Sequence, residues 1–398
     1  MSDTLSAESL LTHVRALAEG IGPRPAGHPE EERARQYVLG VLTESGYKDV
    51  ETLPFLAPDT WGYAAGLPLA LALAGNGLGR GDSRIGRFLG GLFALLNGYA
   101  LWEAMRINKQ PVTVLAPRGQ SADLIVRIPP TGAAKRRLVL LAHTDSNKHR
   151  PSFTPQMKQW LPWITTVGLG LTVANGLAQL AESFGAGKGA KRMRWGSALA
   201  LLVSLGLAIY DEQGTYVPGA NDNASAVAVV LGLAARLKAA PLRHTEVWLA
   251  FTGSEESGCV GAHKLLDVYG ALLRHAWFLD FEMVGSAEIA YVTRHSGFSK
   301  FSTYYPDAES VAWAEKTALA HPEFGVHGRD MIIGEEVGAL RSRGYRGICI
   351  SGVGPDGWLE NWHQHSDSVA NITSSGLAKA AGFAWEMLGM LDREEVGF

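Results

Sequence analysis

Apolar positions along this chain follow three different patterns, and the changes between them divide it. Ser6 to about Glu19 has helical spacing, and a Gly/Pro-rich turn follows over Gly22-Pro23-Arg24-Pro25-Ala26-Gly27. A second amphipathic helix is expected from about Glu30 to Gly46, with Tyr37, Val38, Val41 and Leu42 on one face. Short apolar runs bounded by turn residues predict strands at Asp123–Ile128 and Arg137–Ala142, joined by a turn around Pro129-Pro130-Thr131-Gly132. Further buried strands are expected at Thr245–Thr252, Ala276–Phe281 and Gly347–Ser351, and helices at Ala224–Ala239, Val311–Ala320 and Gly376–Leu391. Strands alternating with helices imply an α/β fold with a mostly parallel central sheet flanked by helices.

Four uncharged runs interrupt that pattern: Thr60–Gly79, Phe88–Trp102, Gln159–Ala181 and Trp195–Tyr210, about 20, 15, 23 and 16 residues long. Roughly 20 residues span a bilayer as a helix. The runs come as two pairs. One pair is joined by a link with Arg80, Asp82, Arg84 and Arg87, the other by a link with Lys188, Lys191, Arg192 and Arg194. Trp61, Trp102, Trp160, Trp163 and Trp195 stand at run ends, as membrane-interface aromatics do. The preferred reading is two inserted hydrophobic hairpins that cross a membrane. The alternative is two buried hairpins in a cytoplasmic protein, packed together or against a second copy. Spanning hairpins would put the basic links on the cytoplasmic side and the remainder outside, although Arg106, Lys109, Arg150 and Lys158 flank the opposite ends. The chain thus divides into 1–54, a first hairpin at 55–109, a segment at 110–147, a second hairpin at 148–212, and 213–398.

Composition narrows the function. With 36 Lys plus Arg against 39 Asp plus Glu, the net charge is −3, which argues against a nucleic-acid partner. An apolar share of 46 % excludes a disordered chain. Cys259 and Cys349 cannot form a disulfide framework, and the opening residues lack the pattern of a cleavable signal peptide.

In α/β sheets chemistry collects beyond the carboxyl ends of the strands. Here those ends run into His143-Thr144-Asp145, into Ser254-Glu255-Glu256-Ser257-Gly258 and into Glu282-Met283-Val284-Gly285. Asn221-Asp222-Asn223 precedes the Ala-rich helix, and Asn361-Trp362-His363-Gln364-His365-Ser366-Asp367 lies near the carboxyl end. Each alone has an ordinary reading: a helix cap, a dipole-matching carboxylate, a hydrogen-bonded histidine. Together they form a mixed imidazole and carboxylate set suited to zinc, and so many carboxylates would be costly to bury without cations.

The segments AHTDS, PGANDNASA, TGSEESGCVGA, DFEMVG and NWHQHSDSVANI, in that order, resemble the zinc-dependent exopeptidases of the M28 aminopeptidase family. GPRPAGHPEEERARQYVLGVLTESGY and GEEVGALRSRGYRGICISG look like its amino-terminal segment and its late helix–strand unit. The resemblance implies a zinc-exopeptidase fold and a metallo-exopeptidase with two Zn2+ ions, most simply an aminopeptidase acting on peptides. It implies His143 and Glu282 as ligands of the first zinc, Glu256 and His363 as ligands of the second, and Asp222 bridging both. Glu255 is then the general base, Asp145 orients His143, and Asp367 supports His363. Glu282 stands where the family usually has Asp, so Asp280 competes with it, and His365 competes with His363. The family usually has about a dozen residues between the first His motif and the bridging Asp. Here 78 separate His143 from Asp222, so both ends of the second hairpin should emerge beside the site.

Tyr304, Tyr305, Trp358 and Trp362 are candidates for a side-chain pocket, and Arg294 and His295 for substrate contacts. Two other functions compete: a glutaminyl-cyclase-like acyltransferase using one zinc, and a non-catalytic receptor or scaffold on the same fold.

Overall fold

The computed structural model describes residues 3–79 and 83–393; Arg80 and Asp82 of the first basic link lie outside the described residues. The chain opens with α1 (Ala7–Arg15), capped by the Ser6 hydroxyl accepting from the Ser9 N–H, then α2 (Pro29–Glu44). Strand β1 (Val50–Ala57) leads into α3 (Gly62–Leu78) and α4 (Arg84–Met105). Strands β2 (Gly119–Ile128) and β3 (Arg136–His143) precede α5 (Leu161–Ser183) and α6 (Lys188–Asp211). There follow α7 (Ala226–Ala239), β4 (Thr245–Thr252), α8 (Val260–Tyr269), β5 (Trp277–Glu282) and β6 (Glu288–His295). The chain closes with α9 (Ala308–Ala320), β7 (His327–Met331), α10 (Glu336–Ser342), β8 (Ile348–Val353) and α11 (Ser374–Asp392).

The eight strands form one sheet in the order β1-β2-β4-β3-β5-β8-β6-β7. Its centre, β4-β3-β5-β8, is parallel, while β1, β2 and β6 join antiparallel to their inner neighbours. The strands expected to meet at the Pro129–Gly132 turn are not neighbours: β4 lies between β2 and β3, pairing with both. Alternation within β3 builds two cores. Leu138, Leu140 and Ala142 pack with α1, α2, α7 and α11, and Val139 and Leu141 pack with α8 and α10 on the other face. Strand β1 runs to Ala57, past the expected segment boundary at residue 54.

All four uncharged runs are helices, and they pack around one another: α3 against α4, α4 against α5, α5 against α6, and α6 back against α3. Small residues permit the approach. A Cβ on Gly90 would lie 2.3 Å from the Gly75 carbonyl oxygen, and one on Gly91 would lie 2.9 Å from that of Gly176. The polarity of the bundle is inverted. Inside, the Asn175 Oδ1 accepts from Asn76 at 2.8 Å and from Gln179 at 2.9 Å, and Arg194 pairs with Glu182 at 3.3 Å. Outside, Ile85, Leu96, Leu199 and Tyr210 are 74, 66, 65 and 64 % exposed. Two of the helices, α5 and α6, are long and apolar enough to cross a membrane; α3, with 17 residues, is too short by itself.

Replacing Gly90 by Leu should lower stability by about 1–3 kcal/mol, because the new Cβ would meet the fixed Gly75 carbonyl as well as the buried Gln179 amide. Thermal unfolding followed by circular dichroism measures it; an unshifted midpoint would mean the helices are not packed this closely.

Candidate metal centre

Parallel pairing brings the functional side chains together. His143 ends β3 in register with Thr252 at the end of β4, three residues before Glu255, and the pairing of Leu141 with Asp280 brings Glu282 at the end of β5 alongside. Asp222 arrives from the turn before α7, and His363 from the loop after β8. The Asp222 carboxylate sits between two imidazoles, its Oδ1 3.3 Å from His143 Nε2 and its Oδ2 3.2 Å from His363 Nε2. Around His143 Nε2 also lie Glu282 Oε1 at 3.5 Å and Glu255 Oε2 at 3.9 Å. His363 Nε2 lies 3.2 Å from Glu256 Oε2. Asp280 is not in this group; it falls in a separate buried cluster with Glu335 and Cys349. His365 is exposed and stacks on His149 with ring centroids 4.1 Å apart.

Neighbouring groups hold this arrangement. Asp145 reaches His143 Nδ1 with its carbonyl oxygen at 3.2 Å and Oδ1 at 3.4 Å. Its carboxylate also accepts from the N–H groups of Glu255 and Glu256 at 3.1 and 3.0 Å, so it fixes three site residues at once. Asp367 does not reach the His363 ring as the resemblance implied: its oxygens accept from the N–H groups of Asn221 and Asp222 at 2.6 and 3.1 Å. A carboxylate satisfied by two backbone donors is committed to the Asp222 turn, and His363 Nδ1 is left without a partner.

Several supporting residues went unremarked in the sequence. Asn223 donates to Glu282 Oε2 at 3.1 Å and to the Phe281 carbonyl at 2.9 Å. Buried Arg24, in the Pro-Arg-Pro turn, donates to the carbonyls of Thr144 and Gly219 at 2.9 and 2.8 Å, stitching the His143 loop to the Asp222 loop. Two flanking prolines were its signal: they stiffen a short turn enough to aim one side chain inward. The Cys259 thiol donates to Glu255 Oε1 at 3.0 Å.

Both ends of the second hairpin do emerge here. The Val217 N–H donates to the Asn147 carbonyl at 2.9 Å. The Asn147 amide nitrogen lies 2.5 Å from Glu256 Oε2 and 3.2 Å from His363 Nε2. Its oxygen accepts from Arg150 at 3.1 Å. Buried Arg150 then reaches Glu212 and Asp211 at the end of α6 at 2.6 and 3.3 Å and Thr60 before α3 at 2.8 Å, and its N–H donates to the His363 carbonyl at 2.9 Å.

Electrostatics follow from crowding. Burial pushes Glu255, Glu256 and Glu282 above the usual carboxylate range, reinforced at each by neighbouring acids and opposed by imidazoles. Burial acts the same way on Asp222, but hydrogen bonds from His143 and His363 outweigh it and hold that carboxyl below its ordinary value. Burial alone would lower the two imidazoles; the carboxylates around them reverse this, taking His143 well up and His363 to about 9.

Such a site fits divalent cations. The ligand atoms of His143, Asp222 and Glu282 lie within 4.8 Å of one another, as do those of Asp222, Glu256 and His363. The buried Glu256 Oε1 has no hydrogen-bond partner. Imidazole plus carboxylate is a donor set that zinc accepts.

A cavity opens over these groups and is bounded by Phe298 and Trp362 as well as by α3, α4 and α5. Of the other pocket candidates, Tyr304 is buried and donates to Glu335 at 3.2 Å, Tyr305 is 59 % exposed, and Trp358 is packed in the core. Arg294 pairs with Asp330 at 2.7 Å, and His295 is fully buried. None of these five lines the cavity.

The sheet order and the cluster at its strand ends define the class: a zinc-exopeptidase fold. The sequence model of the family described as "Peptidase family M28" matches residues 205–388, a stretch that carries Asp222, Glu255, Glu256, Glu282 and His363 and excludes His143 and Asp145. The match covers a little under half of the chain, and with this fold it makes the chain similar to zinc-dependent metallopeptidases of the M28 type. No curated protein sequence matches it. Among solved structures it is similar to BSAP, a zinc aminopeptidase from Bacillus subtilis, at 15 % identity and a TM-score of 0.56, over 97 % of this chain and 95 % of that one. It is also similar to an aminopeptidase from Aneurinibacillus sp. strain AM-1, at 14 % identity and a TM-score of 0.56, over 97 % and 93 % of the two chains. A glutaminyl cyclase from an Acidobacteriales bacterium aligns at 16 % identity and a TM-score of 0.55, over 98 % and 95 %.

Asp367→Asn should weaken metal retention about 10–100-fold, the usual cost of losing an outer support, since one of two backbone N–H groups then faces an amide nitrogen. Zinc titration against a competing chelator measures this; unchanged affinity would remove Asp367 from the support of the site.

Proposed function

We propose that the protein is a two-zinc aminopeptidase whose helical bundle sits in a membrane. The observation that carries the two-metal reading is Asp222, with one carboxylate oxygen toward each imidazole. His143, Asp222 and Glu282 hold the first zinc; Asp222, Glu256 and His363 hold the second. The bound ions supply Lewis acidity toward the scissile carbonyl and make water a better acid. Glu255, beside both ligand groups, takes a proton from water as its oxygen bonds to the carbonyl carbon. It returns that proton to the nitrogen as the carbon–nitrogen bond breaks, releasing an amine and a carboxylic acid. Asp145 keeps His143 in one tautomer and holds the Glu255–Glu256 turn in place.

Amino-terminal rather than carboxyl-terminal cleavage is supported by charge. Among the described residues the cavity is lined by Asp222, Glu255, Glu256 and Glu282 and by no Lys or Arg, so it suits an ammonium group better than a terminal carboxylate. The membrane reading is supported by the inverted polarity of the bundle. Its helix α5, with 23 residues, is roughly 35 Å long, against a hydrocarbon core of about 30 Å. Because α3 and α5 start, and α4 and α6 end, beside the catalytic domain, Arg84 and Arg87 at the start of α4 and Lys188, Lys191 and Arg192 at the start of α6 lie toward the far end, which favours an extracytoplasmic catalytic domain.

Glu255→Gln should retain metal and lose about 10²–10⁴ in turnover on aminoacyl-naphthylamides; near-normal activity would refute the base assignment. Asp222→Ala should lose both metals together, and one zinc kept at full occupancy by elemental analysis would contradict the bridge. One zinc in the unaltered protein, with cyclisation of amino-terminal glutamine, would favour the cyclase reading instead. The protein should sediment with membranes and be released by detergent but not by alkaline carbonate.

A further inference from the structure

We infer that Asp280, Glu335 and Cys349 form a further, structural metal site in the core, built for zinc or a similarly thiophilic divalent cation. It is distinct from the strand-end cluster and does not depend on whether that cluster holds one ion or two. Cys349 lies opposite Asp280 in the parallel pairing of β8 with β5, and Glu335 is the N-cap of α10. A carboxylate oxygen of each acid and the Cys349 Sγ lie within 4.8 Å of one another, and all three side chains are buried. Neither oxygen of Asp280 has a hydrogen-bond donor. Among the described residues no Lys or Arg pairs with Asp280 or Glu335.

Glu335 is held from behind. Its Oε2 accepts from the Val337 N–H at 2.5 Å and its Oε1 from the Tyr304 hydroxyl at 3.2 Å. Buried His295 sets its Nε2 against the same Oε1, is bonded nowhere else, and stacks on Tyr304 with centroids 4.2 Å apart. Ligating carboxylates are oriented by outer contacts of this kind. The donor set selects the ion: a thiolate with carboxylates suits zinc, whereas magnesium and calcium take oxygen ligands. Cys349, one oxygen of Glu335 and both oxygens of Asp280 supply four positions, which closes the site to substrate. On binding, the thiol gives its proton to solvent as sulfur bonds the ion. Two positive charges then offset three negative ones where unpaired carboxylates are costly. The ion clasps β5 to β8 and to the start of α10, two residues before Glu282 leaves β5 for the strand-end cluster.

The test is full-length, detergent-solubilised protein expressed in cobalt-supplemented medium. Metal analysis should find about one cobalt per chain beyond the strand-end complement, with a sulfur-to-cobalt charge-transfer band in the near ultraviolet. Cys349→Ala should remove the band and one equivalent of metal, and Asp280→Ala, which keeps the thiol, should do the same. Cys259→Ala should keep the band; this control matters because Cys259 is the other thiol of the chain and lies against Glu255. Should Cys349→Ala fail to fold, the unaltered protein and Cys259→Ala decide between them. No band in the unaltered protein, or a band that Cys259→Ala removes, overturns the site and leaves the two acids sharing a proton. A band and one equivalent lost in Cys349→Ala from a total of two would instead overturn the two-zinc reading and leave this site standing.

Discussion

The rest of the structure depends on keeping four carboxylates and two imidazoles in one nearly dry space. Asp222, Glu255, Glu256 and Glu282 are held within reach of His143 and His363, and without cations their repulsion would be paid largely in bound protons. The surroundings restrain that repulsion in a specific way. Asp145 and Asp367, themselves buried, spend their oxygens on backbone N–H groups and so fix the turns carrying the acids. Arg24 adds a cation behind them; burial draws it down to about 10, opposed by Asp367 and Asp145. It therefore stays charged at neutral pH.

The sheet supplies positions and the bundle supplies surroundings. Parallel β4, β3 and β5 deliver their ends side by side, which is why residues from 143 to 282 in sequence meet in one place. The bundle closes over those ends with side chains that hold no charge near the cavity. Its own polar groups are turned inward and pair away from the site, Asn76 and Gln179 donating to Asn175 and Arg194 pairing with Glu182. Two different solutions to burying polarity thus coexist in one chain: neutral amides and an ion pair in the bundle, and a ligand set at the strand ends.

Much of this was legible in the sequence. The central strands are buried on both faces, so they read as short continuous apolar runs, and β4 was delimited to the residue. What failed was pairing: a seven-residue turn region between β2 and β3 looks like a hairpin, and only the long-range insertion of β4 separates them. Strands β1, β6 and β7 escaped because Pro54 interrupts the first and polar residues such as Glu288 and Asp330 break the others. At the site, strand-end position and family resemblance picked out residues that the fold brings together, His143, Asp222, Glu255, Glu256, Glu282 and His363. They misjudged Asp367, since spacing to a histidine says nothing about a competing pair of backbone donors. They could not find Asn147, Arg24 or Asn223, whose roles exist only after three loops have come together. Aromatic residues were poor guides to the pocket for the same reason: Tyr304 and Trp358 are large enough to be core, and only Trp362 faces the space.

One guanidinium joins the two halves of this architecture. Arg150 grips the feet of both hairpins through Thr60, Asp211 and Glu212, and through Asn147 and the His363 backbone it connects to Glu256 and His363. It works as a mechanical linkage with almost no slack. The helix ends are therefore tied to Glu256 and His363 within two bonded contacts, so that a single side chain makes the bundle and the strand-end cluster one joined frame.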